Sequence, residues 1–525
     1  MSKIEGVGYP TQGEVVRFLY AAGGVLPEKR DQAPLSATER KALRKALRRL
    51  AAEEGELEEN FGEMVKQLAF LVAGHIELER LILAVGEVVS DLLDIYRQAV
   101  RDEGTFLSKD GTVRWLVRDR WGPAAALSIA RNITRFGLRP LAPYLPDAAD
   151  WYLPGLADDK PLWPLQKVWQ WIYDQTGLTQ TQFHYPGRTT EESDVERQRD
   201  LENAQNWLQG KHFPSAAALR WTVDRAFSAQ RDVKPGTSGK PDLSSPLLQE
   251  GVRVALFLAR CSTHISLEIA DLFGKEFLAQ VCKLFERDLA LALEDTHRVE
   301  VRIGELADQH NLSPLNLELR TDAINLWDEN LRARGYQAGT QLDWLYKAGG
   351  LTGDKIDELV KVYGALPVLP LADWLQRPRG HEIPPGFETA LFEGLHLAED
   401  HGLTGQQIDE YDASLQASDA RAHLPWMVPW LRFLNCYRSH DDAAAWTWIS
   451  EAYKQARYRA GSKQHKIANH YIELAAKARD RVAFRKGVNW ARYVGVDIRW
   501  LRDKDLSAEN IDFAMEVFRR SRYSV

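Results

Sequence analysis

Eleven lysines and arginines lie between Lys454 and Arg492, against only Glu473 and Asp480. The segment carries +9 in a chain whose net charge is −7, leaving −16 for the remainder. Read as one helix, Ile467, Tyr471, Leu474, Ala475, Ala478 and Val482 recur at three- and four-residue steps and mark a buried face. At ~100° per residue, Lys463, Lys466, His470, Lys477 and Arg481 then form one stripe beside that face. Arg479 and Lys486 project to its other flank, Arg485 adds to the set, and Arg457 and Arg459 precede the helix. Tyr458, Phe484, Trp490 and Tyr493 are near enough in sequence to supply aromatic surface. A row of cations over several turns can follow a phosphate backbone, gaining affinity by releasing condensed counterions. Arginine adds forked hydrogen bonds to phosphate oxygens. These ten residues are therefore the expected contacts to nucleic acid or to an acidic protein partner. A solvated face, or docking onto the chain's own acidic surface, accounts for the same charge run.

Two other constellations have the residue types that hydrolysis needs. His401, the pair His440-Asp441 and Asp497 could hold a divalent metal that activates water. Their order and helical setting resemble the metal-dependent HD phosphohydrolases, which implies an all-helical fold and a metal held by those four side chains. An ordinary N-cap role for Asp441 or Asp442, opening a helix over 442–457, explains the pair more simply. Arg459 and His465, with five residues between them, are similar to the Arg-x4–6-His element of the helical HEPN ribonucleases. That resemblance implies that both side chains meet at an RNA phosphate. Gly461 and Ser462 between them favour a helix break.

Stronger catalytic signatures do not occur: there is no HExxH, GxSxG, dinucleotide GxGxxG or zinc-type Cys/His cluster. Gly239-Lys240 imitates the end of a phosphate-binding loop, but Lys234 stands where its first glycine belongs and Pro241 where Ser or Thr would hold magnesium. No catalytic residue, metal ligand or cofactor is assigned, and the expectation is a non-catalytic binding or adaptor subunit. Cys261, Cys282 and Cys436 make no CxxC pair and cannot form a disulfide framework. The start lacks an apolar signal core, and charges interrupt the apolar stretch Val65–Val100, so a cytoplasmic protein without membrane contact is expected. The seventeen tryptophans, such as Trp426, Trp430, Trp446 and Trp448, suit helix packing better than ligand stacking.

The elements that must position these residues are announced by their caps. Gly-Leu-Thr-Gly-x-x-Ile-Asp-Glu occurs at Gly350–Glu358 and again at Gly402–Glu410. Gly350 and Gly402 suit the left-handed residue that ends a helix. Thr352 and Thr404 suit the N-cap of the next one. Leu351 with Ile356, and Leu403 with Ile408, have hydrophobic-staple spacing, and Gln407 completes a capping box with Thr404. Looser copies start at Leu178-Thr179, Leu312-Ser313, Leu506-Ser507 and Leu35-Ser36. The later starts are 39, 52 and 103 residues apart, too uneven for a strict solenoid but compatible with stacked helix pairs.

Between the caps, Ala37–Ala52 reads as a basic amphipathic helix followed by an acidic run from Glu53 to Glu59, a self-neutralising surface. Six prolines between Arg139 and Pro164 call for turns and short helical pieces packed by aromatics. Helices are expected at Trp163–Thr176, Asp194–Gln209, Ser215–Phe227, Leu247–Arg260 and His264–Glu294. Alternating β-branched runs are scarce, so the fold class is all-α, an irregular array of paired helices (αα-hairpins) in two or three domains. Composition breaks divide the chain into an N-terminal helical domain (1–230), a linker (231–246), a middle domain (247–366) and a C-terminal domain with the basic stripe (367–525).

Overall fold

The computed structural model describes residues 6–15, 76–102, 108–135, 138–146, 151–156, 161–184, 194–211, 213–230, 243–309, 386–418, 420–496 and 508–520, with a few scattered positions. The Gly350 phrase, the Ser36, Ser313 and Ser507 caps, most of Ala37–Ala52 with its acidic run, most of the linker, the 367–385 break and Asp497 lie outside the described residues. The described chain is all-α: its only β pairings are the isolated bridges Val7–Ser108 and Gly155–Leu162.

The first half is built on long-range helix pairs. Helix α1 (Glu79–Asp102), α2 (Lys109–Trp115) and α3 (Gly122–Arg135) are followed by a 3-10 turn at Arg139–Tyr144 in the proline-rich stretch. Then come α4 (Pro164–Thr176), α5 (Gln180–His184), α6 (Asp194–Leu208) and α7 (Ala216–Gln230). The Thr179 cap forms as expected, its hydroxyl accepting from Gln182 N, and the structure adds a return bond in which the Gln182 side chain accepts from Thr179 N. Leu178 and Phe183 are buried in one core with Trp169 and Ile172.

Helix α8 (Pro246–Phe273) is continuous where the sequence suggested a break between Arg260 and His264. The polar residues there serve neighbouring segments instead of ending the helix. Thr263 Oγ1 accepts from Leu165 N at 3.1 Å, and Ser262 donates to Tyr152 O. The break falls at Gly274, in a positive-φ conformation (φ 90°), before α9 (Lys275–Gln309). Gly251 lets α8 touch the 3-10 turn, because a Cβ there would lie 2.2 Å from Tyr144 O. Glu250 caps α1 from outside its own helix, accepting from Glu77 N and Leu78 N at 2.9 Å each.

The second half is a regular stack of hairpins: α10 (Phe387–Glu399) with α11 (Gly405–Ala417), α12 (Met427–Arg438) with α13 (Asp442–Ala456), and α14 (Gln464–Lys477) with α15 (Arg481–Val494). Helix α16 (Ala508–Arg520) follows. First helices begin 40 and 37 residues apart, and second helices 37 and 39. This interval is the length of one hairpin unit in a helical array. Each second helix has a side-chain N-cap, at Thr404, Asp441 and Asp480. Two corners are near copies. His440 (φ 64°) and Arg479 (φ 57°) take the left-handed residue, while Asp441 N and Asp480 N donate to Cys436 O and Ala475 O as in a Schellman turn. At Gly402 the expectation fails: Gly402 is not left-handed, and its N–H donates to Asp400 Oδ1.

The core of this stack takes in Tyr9, Val15, Leu93, Tyr96 and Val100 from the chain's beginning. A second core joins Trp169 and Phe227 with Val252 and Leu256. The segments on either side of the 231–246 and 367–385 breaks therefore share cores.

Candidate anion-docking surface

The basic segment is two helices, not one. Helix α14 ends at Lys477, Asp480 caps α15, and Ala478 and Val482, expected inside, are exposed. Helix α14 is also buried on every side from Ile467 to Ala476. It packs against α13, α15 and α16, and its side chains reach α12, so no face is left for a continuous stripe. The nominated residues separate accordingly into an inner and an outer set.

The inner set holds the fold together. His470 is buried among the rings of Trp430, Phe433 and Tyr437, at 5.8, 5.1 and 5.0 Å. Its Nδ1 lies 3.5 Å from Glu473 Oε2, and Glu473 is fully buried. The Tyr437 hydroxyl donates to the Glu473 carboxylate at 2.9 Å, and Lys477 Nζ reaches Oε1 at 2.9 Å and Asp442 Oδ1 at 3.7 Å. Burial pulls the His470 pKa down, and the neighbouring Glu473 only partly offsets it. Burial also pushes the Glu473 carboxyl up, but the neighbouring His470 and the bonded Lys477 ammonium outweigh it and leave the pKa lowered. Arg457 is half-buried over the rings of Tyr453 and Trp490, at 5.2 and 5.3 Å. Arg459 donates from Nε to Val7 O and from a terminal nitrogen to Gln455 O.

The outer set lies at the ends of α14 and along α15. Lys463 and Lys466 are exposed at its start, Arg479 is exposed just past its end, and Lys486 is exposed on α15. Fourteen residues rising ~1.5 Å each put the two ends about 20 Å apart. Arg481 pairs with Asp512 on α16, and Arg485 is half-buried. Among the described residues, Lys463, Lys466 and Arg479 have no carboxylate partner. Lys463 and Lys466 also sit at the positive end of the α14 dipole, where a cation is disfavoured. Among the described residues nothing pairs with the charges of Lys463 and Lys466.

Among the described residues neither hydrolytic constellation comes together, and Asp497 lies outside them. His440 and Asp441 form the helix corner described above, with Asp441 Oδ1 accepting from Ala444 N at 3.0 Å. Among the described residues, no group of three or more His, Cys, Asp or Glu could hold a metal. A 3-10 turn at Gly461–Lys463 separates Arg459 from His465, and Arg459 is engaged with the N-terminal segment. Trp426 and Trp430 are buried, while Trp446 and Trp448 pack half-buried against the same core. The three cysteines are free thiols, and no helix among the described residues is long and apolar enough to cross a membrane.

Sequence reasoning missed the Asp441 and Asp480 caps as one series with Thr404. Their spacing of 37 and 39 residues was the available signal for the hairpin array. No protein-family model, curated protein or solved structure matches the chain.

Proposed function

We propose that this chain is a non-catalytic adaptor whose C-terminal hairpin stack is a scaffold for docking a polyanion, with nucleic-acid backbone as the partner. The observation that carries this reading is the placement of Lys463, Lys466, Arg479 and Lys486. They remain at the surface while His470, Lys477, Arg457 and Arg459 are engaged by the core and the N-terminal segment. Stacked helical hairpins present extended surfaces without needing a catalytic pocket, which suits a scaffold. The two ends of α14, about 20 Å apart, fit contacts to separate phosphates, in place of the unbroken track that a single helix face would give.

Binding carried by these four residues depends steeply on salt. A plot of log affinity against log salt for a short labelled duplex should have a slope of roughly −3 to −4, near 0.9 for each phosphate neutralised. Fluorescence anisotropy at a series of salt concentrations measures it, and affinity that does not change with salt would remove the electrostatic reading.

A further inference from the structure

Residues 6–15 run through a channel formed by α1, the start of α2 and the Tyr458-Arg459 corner after α13. The body of the protein recognises this segment largely through its main chain. Tyr9 N donates to Tyr458 O at 2.8 Å, Lys109 N donates to Gly6 O at 2.7 Å, and Arg459 Nε donates to Val7 O at 2.9 Å. The Tyr96 hydroxyl donates to Pro10 O, and Lys109 Nζ meets Glu14 at 2.8 Å. Tyr9, Gln12 and Val15 anchor the segment as buried side chains, and the Tyr9 ring lies 6.2 Å from that of Trp115. Tyr458 itself is held at φ 66°, in the left-handed region.

The fit is selective at one position and poor at another. Gly8 has φ 107°, and a Cβ there would lie 2.7 Å from both Tyr458 O and Arg459 Cγ, so the channel admits only glycine. Gln12 is fully buried, yet neither its Nε2 nor its Oε1 has a partner among the described residues. Leaving a buried amide unsatisfied opposes docking, so the segment is held less tightly than its other contacts imply.

We propose that this channel is a peptide-binding site for an extended Val-Gly-Tyr-Pro segment. It is filled in cis by residues 7–10 and opens to the same segment of a second copy of this chain when its own is displaced. Main-chain hydrogen bonds give affinity, while the glycine requirement and the tyrosine anchor give specificity, as in other extended-peptide sites.

The test uses the full-length chain carrying Gly8→Ala, whose own segment no longer fits, and a labelled peptide of residues 4–15 standing in for the second copy. The peptide should bind the variant at least tenfold more tightly than it binds the wild-type chain, and a peptide with the same Gly8→Ala change should lose at least tenfold. A variant with native far-UV helical signal that does not bind the wild-type peptide overturns the proposal, as does equal binding by the wild-type chain. Hydrogen exchange on the wild-type protein does not depend on how the variant folds. The Tyr9 amide should exchange faster than amides in the middle of α14, and exchange only together with them would show that the segment is not releasable.

Discussion

Replacing Glu473 by alanine should destabilise the C-terminal stack by about 3–5 kcal/mol, the usual cost of breaking a buried ion pair from one side. The carboxylate is fully buried and is the common acceptor for Tyr437 and Lys477, with His470 Nδ1 beside it. Removing it strands these groups in a low-dielectric interior. The pair Arg481–Asp512 is the control: both side chains are more than half exposed, and an exposed pair contributes only about 0–1 kcal/mol. Urea unfolding followed by tryptophan fluorescence separates the two, since Trp430 and Trp490 are buried in this core. A Glu473→Ala midpoint as little changed as that of Asp512→Ala would show that the network is not a structural element.

Mild acid should weaken the protein through histidines whose pKa burial lowers. His184 is packed among Trp169, Phe183 and Trp207, with Nε2 2.8 Å from the Tyr173 hydroxyl, and burial lowers its pKa from 6.5 to about 4. Burial also moves His264 down to about 4. A histidine with a lowered folded pKa is neutral in the native state, so the unfolded chain takes up the proton first. Its contribution is complete above pH 6.5 and is lost as the pH falls from 6.5 to 4, amounting to about 3 kcal/mol for His184. Glu473 acts lower: its folded pKa is below the ordinary carboxyl value of 4.5, so its contribution disappears as the pH falls from there through the folded value. Urea midpoints measured from pH 7 to 4 should therefore fall, and His184→Gln should flatten that decline. A wild-type midpoint unchanged from pH 7 to 5 would contradict the assignment.

Local grammar was legible in the sequence because it is set by neighbouring residues. The Thr404 box with Gln407, the Thr179 cap and the all-helical class follow from spacing alone. The Asp441 cap was legible in the His440-Asp441 pair, but Asp480 follows Arg479 and not an apolar residue, so the Leu-Ser/Thr pattern does not reach it. The continuous basic stripe failed for a physical reason. Periodicity counts residues around a helix, but it cannot tell that four neighbours enclose α14 or that Asp480 restarts the helix. His470 looked like part of a polar face because its partners are distributed over α12 and α14 and become adjacent only on folding. The contact of residues 6–10 with Tyr458 and Arg459 spans more than four hundred residues, and no local pattern announces it.

The central claim is the division of the basic segment into an inner set that supports the fold and an outer set that meets the partner. The most direct measurement is duplex binding by the chain carrying Lys463→Glu, Lys466→Glu, Arg479→Glu and Lys486→Glu together, with its urea midpoint measured in parallel. These side chains are exposed, so the midpoint should stay near that of the wild type. Binding at low salt should fall by on the order of a hundredfold or more, since four favourable phosphate contacts become repulsive. Undiminished binding with an unchanged midpoint would contradict the claim.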